Sequence, residues 1–162
     1  MNLFSILQSL VLLTLANGTP VIVKKIFGQS FAFPLDAGLR FFDERPLFGP
    51  SKTIRGILFS VLVTTASAPL IGLDLTVGVI AASAAMAGDL LSSFVKRRLN
   101  FTPSSQALGL DQMPESLLPL LVCRDALSLT AADIVLGVGI FFAGELVLSR
   151  ILYRAHLRDE PY

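Results

Sequence analysis

Residues 75–98 read LTVGVIAASAAMAGDLLSSFVKRR. From Leu75 to Val95 every residue is apolar or small and polar except Asp89, and the run closes on Lys96, Arg97 and Arg98. Crossing the hydrocarbon of a bilayer takes roughly 20 such residues. The run therefore reads as a membrane-spanning helix with a basic mouth. A carboxylate inside such a helix is costly and by default marks a functional site. Ser92, Ser93, Lys96 and Arg97 follow Asp89 at the spacings that share its helix face. At 1.5 Å per residue, Asp89 and Lys96 lie about 10 Å apart along the axis. One end of this stripe suits a divalent metal and the other suits phosphate oxygens. The bland alternative is a buried Asp–Lys pair that only holds helices together. Arg98 points off the stripe and reads as an interfacial anchor.

Working outward, the same composition recurs. The chain of 162 residues is 53% hydrophobic and 15% charged, with mean hydropathy +0.71, well beyond the range of soluble domains. Further apolar runs cover residues 2–23, 56–73, 114–127 and 134–153. With 75–95 they predict an all-α polytopic membrane protein of about five spans, forming one domain over residues 1–162. Met1 to Val23 carries no charge, unlike a secretory leader with its basic start, so it is expected to be retained as the first span. Pro20 removes a backbone donor and crowds the Ala16 carbonyl, which predicts a kink or break across Ala16-Asn17-Gly18-Thr19-Pro20. The 114–127 run is short and contains Pro119, so it is either a thin span or partly re-entrant.

Basic residues set the orientation. With the N-terminus outside and five crossings, all 13 Lys and Arg except Arg124 fall in inner segments, and the C-terminus is cytoplasmic. The expected location is the cell membrane, multi-pass, with the active face toward the cytoplasm. A net charge of +1 gives no footprint for nucleic acid. Cys123 is alone, which excludes an internal disulfide or a cysteine metal cluster. The single histidine, His156, reads as a surface residue of the tail. The long segment Gly28 to Ser51 is rich in Phe, Pro and Gly rather than polar. It is expected to fold back on the membrane surface, as long ordered loops with a function do.

Other polar groups gather near the same inner mouth. Lys52, Thr53 and Arg55 at the start of the second span could hold a phosphate with free helix N–H groups, or could be ordinary positive-inside flanks. Asp111 could share a metal with Asp89, or cap a helix. Asn17 sits in the expected break of the first helix, where it is either a ligand contact or a local cap. Glu145 supports the site or pairs between helices.

Gly88-Asp89-Leu90-Leu91-Ser92-Ser93-Phe94-Val95-Lys96-Arg97-Arg98-Leu99, followed by Leu110-Asp111-Gln112, resembles the signature of the CDP-archaeol synthase family. Lys52-Thr53-Ile54-Arg55-Gly56 and Ala16-Asn17-Gly18-Thr19-Pro20 resemble that family too, in its order and across most of the chain. Phosphatidate cytidylyltransferases are the wider relatives. The resemblance implies Mg²⁺-dependent transfer of a cytidylyl group from CTP to a lipid phosphate, giving CDP-lipid and pyrophosphate for phospholipid synthesis. It implies Asp89 and Asp111 as metal ligands, and Lys52, Arg55, Lys96 and Arg97 around the triphosphate. Asn17, Thr53, Ser92 and Ser93 would line the nucleotide or phosphate site.

The chain departs from the family pattern in three places. Ser51 stands where Gly usually precedes the Lys, and Asn100 where Gly usually follows Arg-Arg-Leu. After Asp111-Gln112 the family has another residue and then an acid, whereas here Met113 is followed by Pro114 and Glu115. The second acid is therefore absent or shifted to Glu115. The resemblance carries the expectation of an archaeal-type ether lipid phosphate, with phosphatidate-like lipids open. From another class, a small ion or solute transporter would also hold intramembrane Asp89 and Glu145.

Overall fold

A computed structural model describes residues 2–102, 105 and 107–154. His156 and Arg158 lie outside the described residues. The described chain is all-helical: α1 (Leu3–Phe27), α2 (Ile54–Ser67), α3 (Leu75–Arg98), α4 (Gln112–Val122) and α5 (Ala131–Arg154), with a short 3-10 helix, Ala68–Ile71, extending α2. Four helical stretches are long and apolar enough to cross a membrane: Leu3–Phe27, Ile54–Ile71, Leu75–Arg98 and Ala131–Ile151.

The bundle has its polarity turned inside out. Phe4, Leu7, Ile22, Ile26, Leu62, Val135 and Val147 face outward and exposed, whereas Ser60, Thr64, Ser92, Gln112 and Ser116 are fully buried. That arrangement suits lipid, which solvates side-chain hydrocarbon and leaves polar groups to find partners inside. Ile6, Leu12, Leu13, Ala81 and Leu120 pack the apolar half of the interior. Ala16, Ala82 and Ala85 make a second, small-residue contact where α1, α2 and α3 approach closely.

Two expectations about helix integrity have different outcomes. No break occurs at Ala16–Pro20: α1 is one helix of 25 residues. Proline leaves the Ala16 carbonyl without its helical donor, and Ser60 on α2 supplies one, its Oγ donating at 2.7 Å. The freed acceptor becomes a tie between helices. The fourth run does form a short helix, the 11 residues of α4. Its start packs against Gly88, where an added Cβ would sit 2.3 Å from the Pro114 carbonyl oxygen. Gly88 lies about 15 Å along α3 from Arg98 at 1.5 Å per residue, so α4 begins deep in the bundle. The Asn2 N–H at the start of α1 donates to Asp133 at the start of α5, which places those two helix starts at one end of the bundle.

Segment 28–53 is an ordered ribbon. The Ile54 N–H donates to Phe33, Leu35 to Lys52, Leu47 to Leu39, and Phe41 to Arg45. Midway, the buried Asp36 carboxylate accepts from the N–H groups of Gly38, Phe48 and Gly49. Three backbone donors outweigh burial, which by itself would raise the pKa, and hold this carboxyl below its ordinary value.

Candidate functional site

Lys52 stands on the returning side of the ribbon, just before the Thr53 cap of α2. Its ammonium reaches into the bundle and donates to both oxygens of Asp89, at 2.5 and 2.6 Å. Burial lowers the pKa of a lysine, but the carboxylates of Asp89 and Glu115 reverse the effect and hold Lys52 above the ordinary value. Glu115 comes from the first turn of α4. The Gly88 contact brings its carboxyl within hydrogen-bonding reach of Asp89.

A second pair lies toward the end of α3. Lys96 Nζ is 2.7 Å from Asp111 Oδ1 and donates to the Ser105 carbonyl at 3.0 Å. The other Asp111 oxygen accepts from the Ala107 N–H. Arg97 is buried; its Nη2 donates to the Thr102 carbonyl, while Nε and Nη1 have no hydrogen-bond partner among the described residues. Nη1 lies under Gly49, at 3.7 Å from where a Cβ would stand. At φ +91° and with this neighbour, position 49 favours glycine. Ser92 and Ser93 are buried on the same stripe, and the Ser92 hydroxyl is turned back onto the Asp89 carbonyl.

The structure thus gathers Lys52, Asp89 and Glu115 in one cluster, with Lys96, Arg97 and Asp111 beside it. Other named residues are engaged locally. Arg55 donates to the carbonyls of Ser30 and, at 3.1 Å, Gly28, and stacks over Phe27. The Thr53 hydroxyl caps α2 at Gly56. The Asn17 amide donates to Leu13 of its own helix. Sequence reasoning missed Asp36, whose partners lie 12 and 13 residues away on a ribbon with no periodic signal. It also missed Asp43, and Arg98 as more than an anchor: the two form an ion pair at 2.8 Å.

The donor set admits a metal. Two carboxylates in mutual contact, Glu115 buried and Asp89 partly so, repel unless a proton or cation lies between them. Among the described residues no group of three or more acidic, His or Cys side chains gathers. Mg²⁺ is commonly held by one or two carboxylates, with water and substrate phosphates completing its shell. Asp89 and Glu115 fit that pattern; Asp89 is paired with Lys52 as Asp111 is with Lys96, so either aspartate would exchange its lysine for the cation.

Comparisons with known proteins agree on one family. The sequence profile described as CarS-like, CDP-archaeol synthase, matches residues 3–162. The CDP-archaeol synthase of Sulfurisphaera tokodaii is 31% identical over 168 residues, covering 99% of this chain and 96% of that protein. That of Hyperthermus butylicus is 38% identical over 104 residues, so the chain spans 59% of the length of that relative. A solved structure described as an intramembrane enzyme for archaeal membrane lipids biosynthesis superposes with TM-score 0.71 at 29% identity, covering 85% of this chain and 90% of that one.

Proposed function

This chain belongs to the CDP-archaeol synthase family, and we propose that it transfers CMP from CTP to a lipid phosphate, releasing pyrophosphate and a CDP-activated lipid. The observation that carries this reading is the Lys52–Asp89–Glu115 cluster beside buried Lys96 and Arg97. Residues 1–162 act as one cytidylyltransferase domain. The cluster opens to the cytoplasm, where CTP resides, with the N-terminus outside.

An oxygen of the lipid phosphate attacks the α-phosphorus of CTP, a new P–O bond forms, and the bond to the β-phosphate breaks. Both reactants are polyanions, so the protein has to neutralise their repulsion and hold them in line. Lys52 exchanges Asp89 for a phosphate oxygen of the nucleotide. Nε and Nη1 of Arg97, without a partner among the described residues, take another, and Lys96 contributes positive charge beside them. The attacking phosphate is ionised near neutral pH, so no side chain is needed as general base. Mg²⁺, held by Asp89 and Glu115, would supply charge neutralisation for the triphosphate. Asp111 orients Lys96. The lipid is an archaeal-type ether lipid phosphate, and its chains lie along the apolar exterior.

The test is turnover by the purified protein with Mg²⁺, labelled CTP and two lipid phosphates, one ether-linked with isoprenoid chains and one ester-linked. CDP-lipid and pyrophosphate should appear in equal amounts, with the ether lipid preferred. No product from either lipid, together with ion flux independent of CTP in vesicles, overturns the reading in favour of a transporter.

A further inference from the structure

The ribbon that carries Lys52 is held at both ends by arginines. At its base, Arg55 ties the carbonyls of Gly28 and Ser30 to α2. At its tip, residues 40–46 form a tight hairpin: Arg40 bridges Pro46, Phe41 donates to Arg45, and Glu44 takes a positive φ of 60°. Arg98, the last residue of α3, meets that tip. Its Nη2 donates to the Pro46 carbonyl at 2.6 Å. Its Nε lies 2.8 Å from Asp43 Oδ2, an ion pair rather than an aligned hydrogen bond. Its guanidinium stands over two rings, 5.0 Å from Phe41 and 4.5 Å from Phe94, which themselves meet edge-on at 5.3 Å. Arg45 reciprocates by donating to the Arg98 carbonyl. An arginine in this setting contributes through a planar fork and stacking that lysine cannot reproduce.

We propose that Arg98 is a positioning residue: with Asp43 and Phe41 it clasps the ribbon tip to the end of α3 and thereby fixes Gly49 and Lys52 over the phosphate-binding stripe. Hydrogen bonds link clasp to site along the ribbon, with a one-residue shift of register where the Asp36 carboxylate meets Phe48 and Gly49. Phe41 pairs with Arg45, Leu39 with Leu47, Asp36 with Phe48 and Gly49, and Leu35 with Lys52. Gly49 lies against Arg97, the residue before the clasp. Loosening the tip frees the returning side of the ribbon with Lys52, so nucleotide is bound less tightly while Asp89, Lys96 and Arg97 stay in place on α3. This inference rests on the proposed CTP-dependent activity.

The experiment compares Arg98→Ala, Arg98→Lys, Asp43→Arg and the exchanged pair Arg98→Asp with Asp43→Arg in the full-length protein. It reads KM for CTP, kcat, and amide hydrogen exchange of residues 33–54. Loss of a half-buried ion pair with its stacking should raise KM for CTP by about 3- to 20-fold. It should leave kcat within about twofold, and speed exchange at Phe41, Leu47 and Gly49 but not along α3. Arg98→Lys should recover part of the loss, and the exchanged pair should outperform Asp43→Arg alone. An active parent with unchanged KM and unchanged ribbon exchange in Arg98→Ala overturns the clasp. So does a loss of protection spread over every helix, with no gain in Arg98→Lys. A parent that makes no CDP-lipid instead overturns the functional reading, and this inference with it.

Discussion

Asp89 is the residue on which three elements converge: it lies on α3, accepts from Lys52 of the ribbon, and touches Glu115 of α4. Replacing it by Asn keeps the shape but removes the charge that holds Lys52 and that would hold the proposed metal. Turnover by Asp89→Asn should fall by about 10²- to 10³-fold, the loss expected for one key electrostatic group. A near-normal rate of CDP-lipid formation would remove Asp89 from the mechanism. The stripe Asp89–Ser92–Ser93–Lys96–Arg97 was legible in the sequence because helical spacing alone puts those residues on one face. The roles of Thr53 and Arg55 were not. A hydroxyl before a helix and an arginine after it look the same whether they face a phosphate or backbone, and here Thr53 caps α2 while Arg55 holds the carbonyls of Gly28 and Ser30. The place of Glu115 was half legible. The sequence offers the shifted acid, but the Gly88 contact that aims it is tertiary.

The ribbon is the element whose conformation the sequence conceals most. Its order comes from backbone groups meeting across it and from the Asp36 carboxylate, with no repeat or periodicity to announce either. Asp36 makes the ribbon sensitive to acid. Because folding lowers its pKa, its stabilisation is complete above the ordinary carboxylate value near 3.8 and fades as pH falls through the folded value. Hydrogen exchange of the Phe48 and Gly49 amides should therefore show constant protection from neutral pH to about 3.8, and lose it only below. In Asp36→Asn that protection should be weak throughout and no longer depend on pH in this range. Equal protection in the variant would remove the carboxylate from the account. The helices α1 and α4 teach the complementary lesson. Pro20 leaves the Ala16 carbonyl without its helical donor, which predicts a kink or break, but Ser60 on another helix satisfies that carbonyl and α1 continues as one helix. The brevity of α4 was visible in its short apolar run, while its deep start became visible only against Gly88.

At the scale of the whole molecule, hydropathy gave the class of fold, since exposed hydrocarbon and a polar interior are what composition and lipid together demand. The distribution of Lys and Arg points to one functional end, where Lys52 pairs with Asp89, Lys96 with Asp111 and Arg98 with Asp43. The central claim is that this one end binds a metal–nucleotide through carboxylates from two helices and a lysine from the ribbon. Calorimetric titration of CTP into the purified protein, with and without Mg²⁺ and in the parent and Glu115→Gln, tests it most directly. The account predicts Mg²⁺-dependent CTP binding in the parent and a Mg²⁺ requirement raised at least about tenfold in the variant. CTP binding indifferent both to Mg²⁺ and to Glu115→Gln would contradict it.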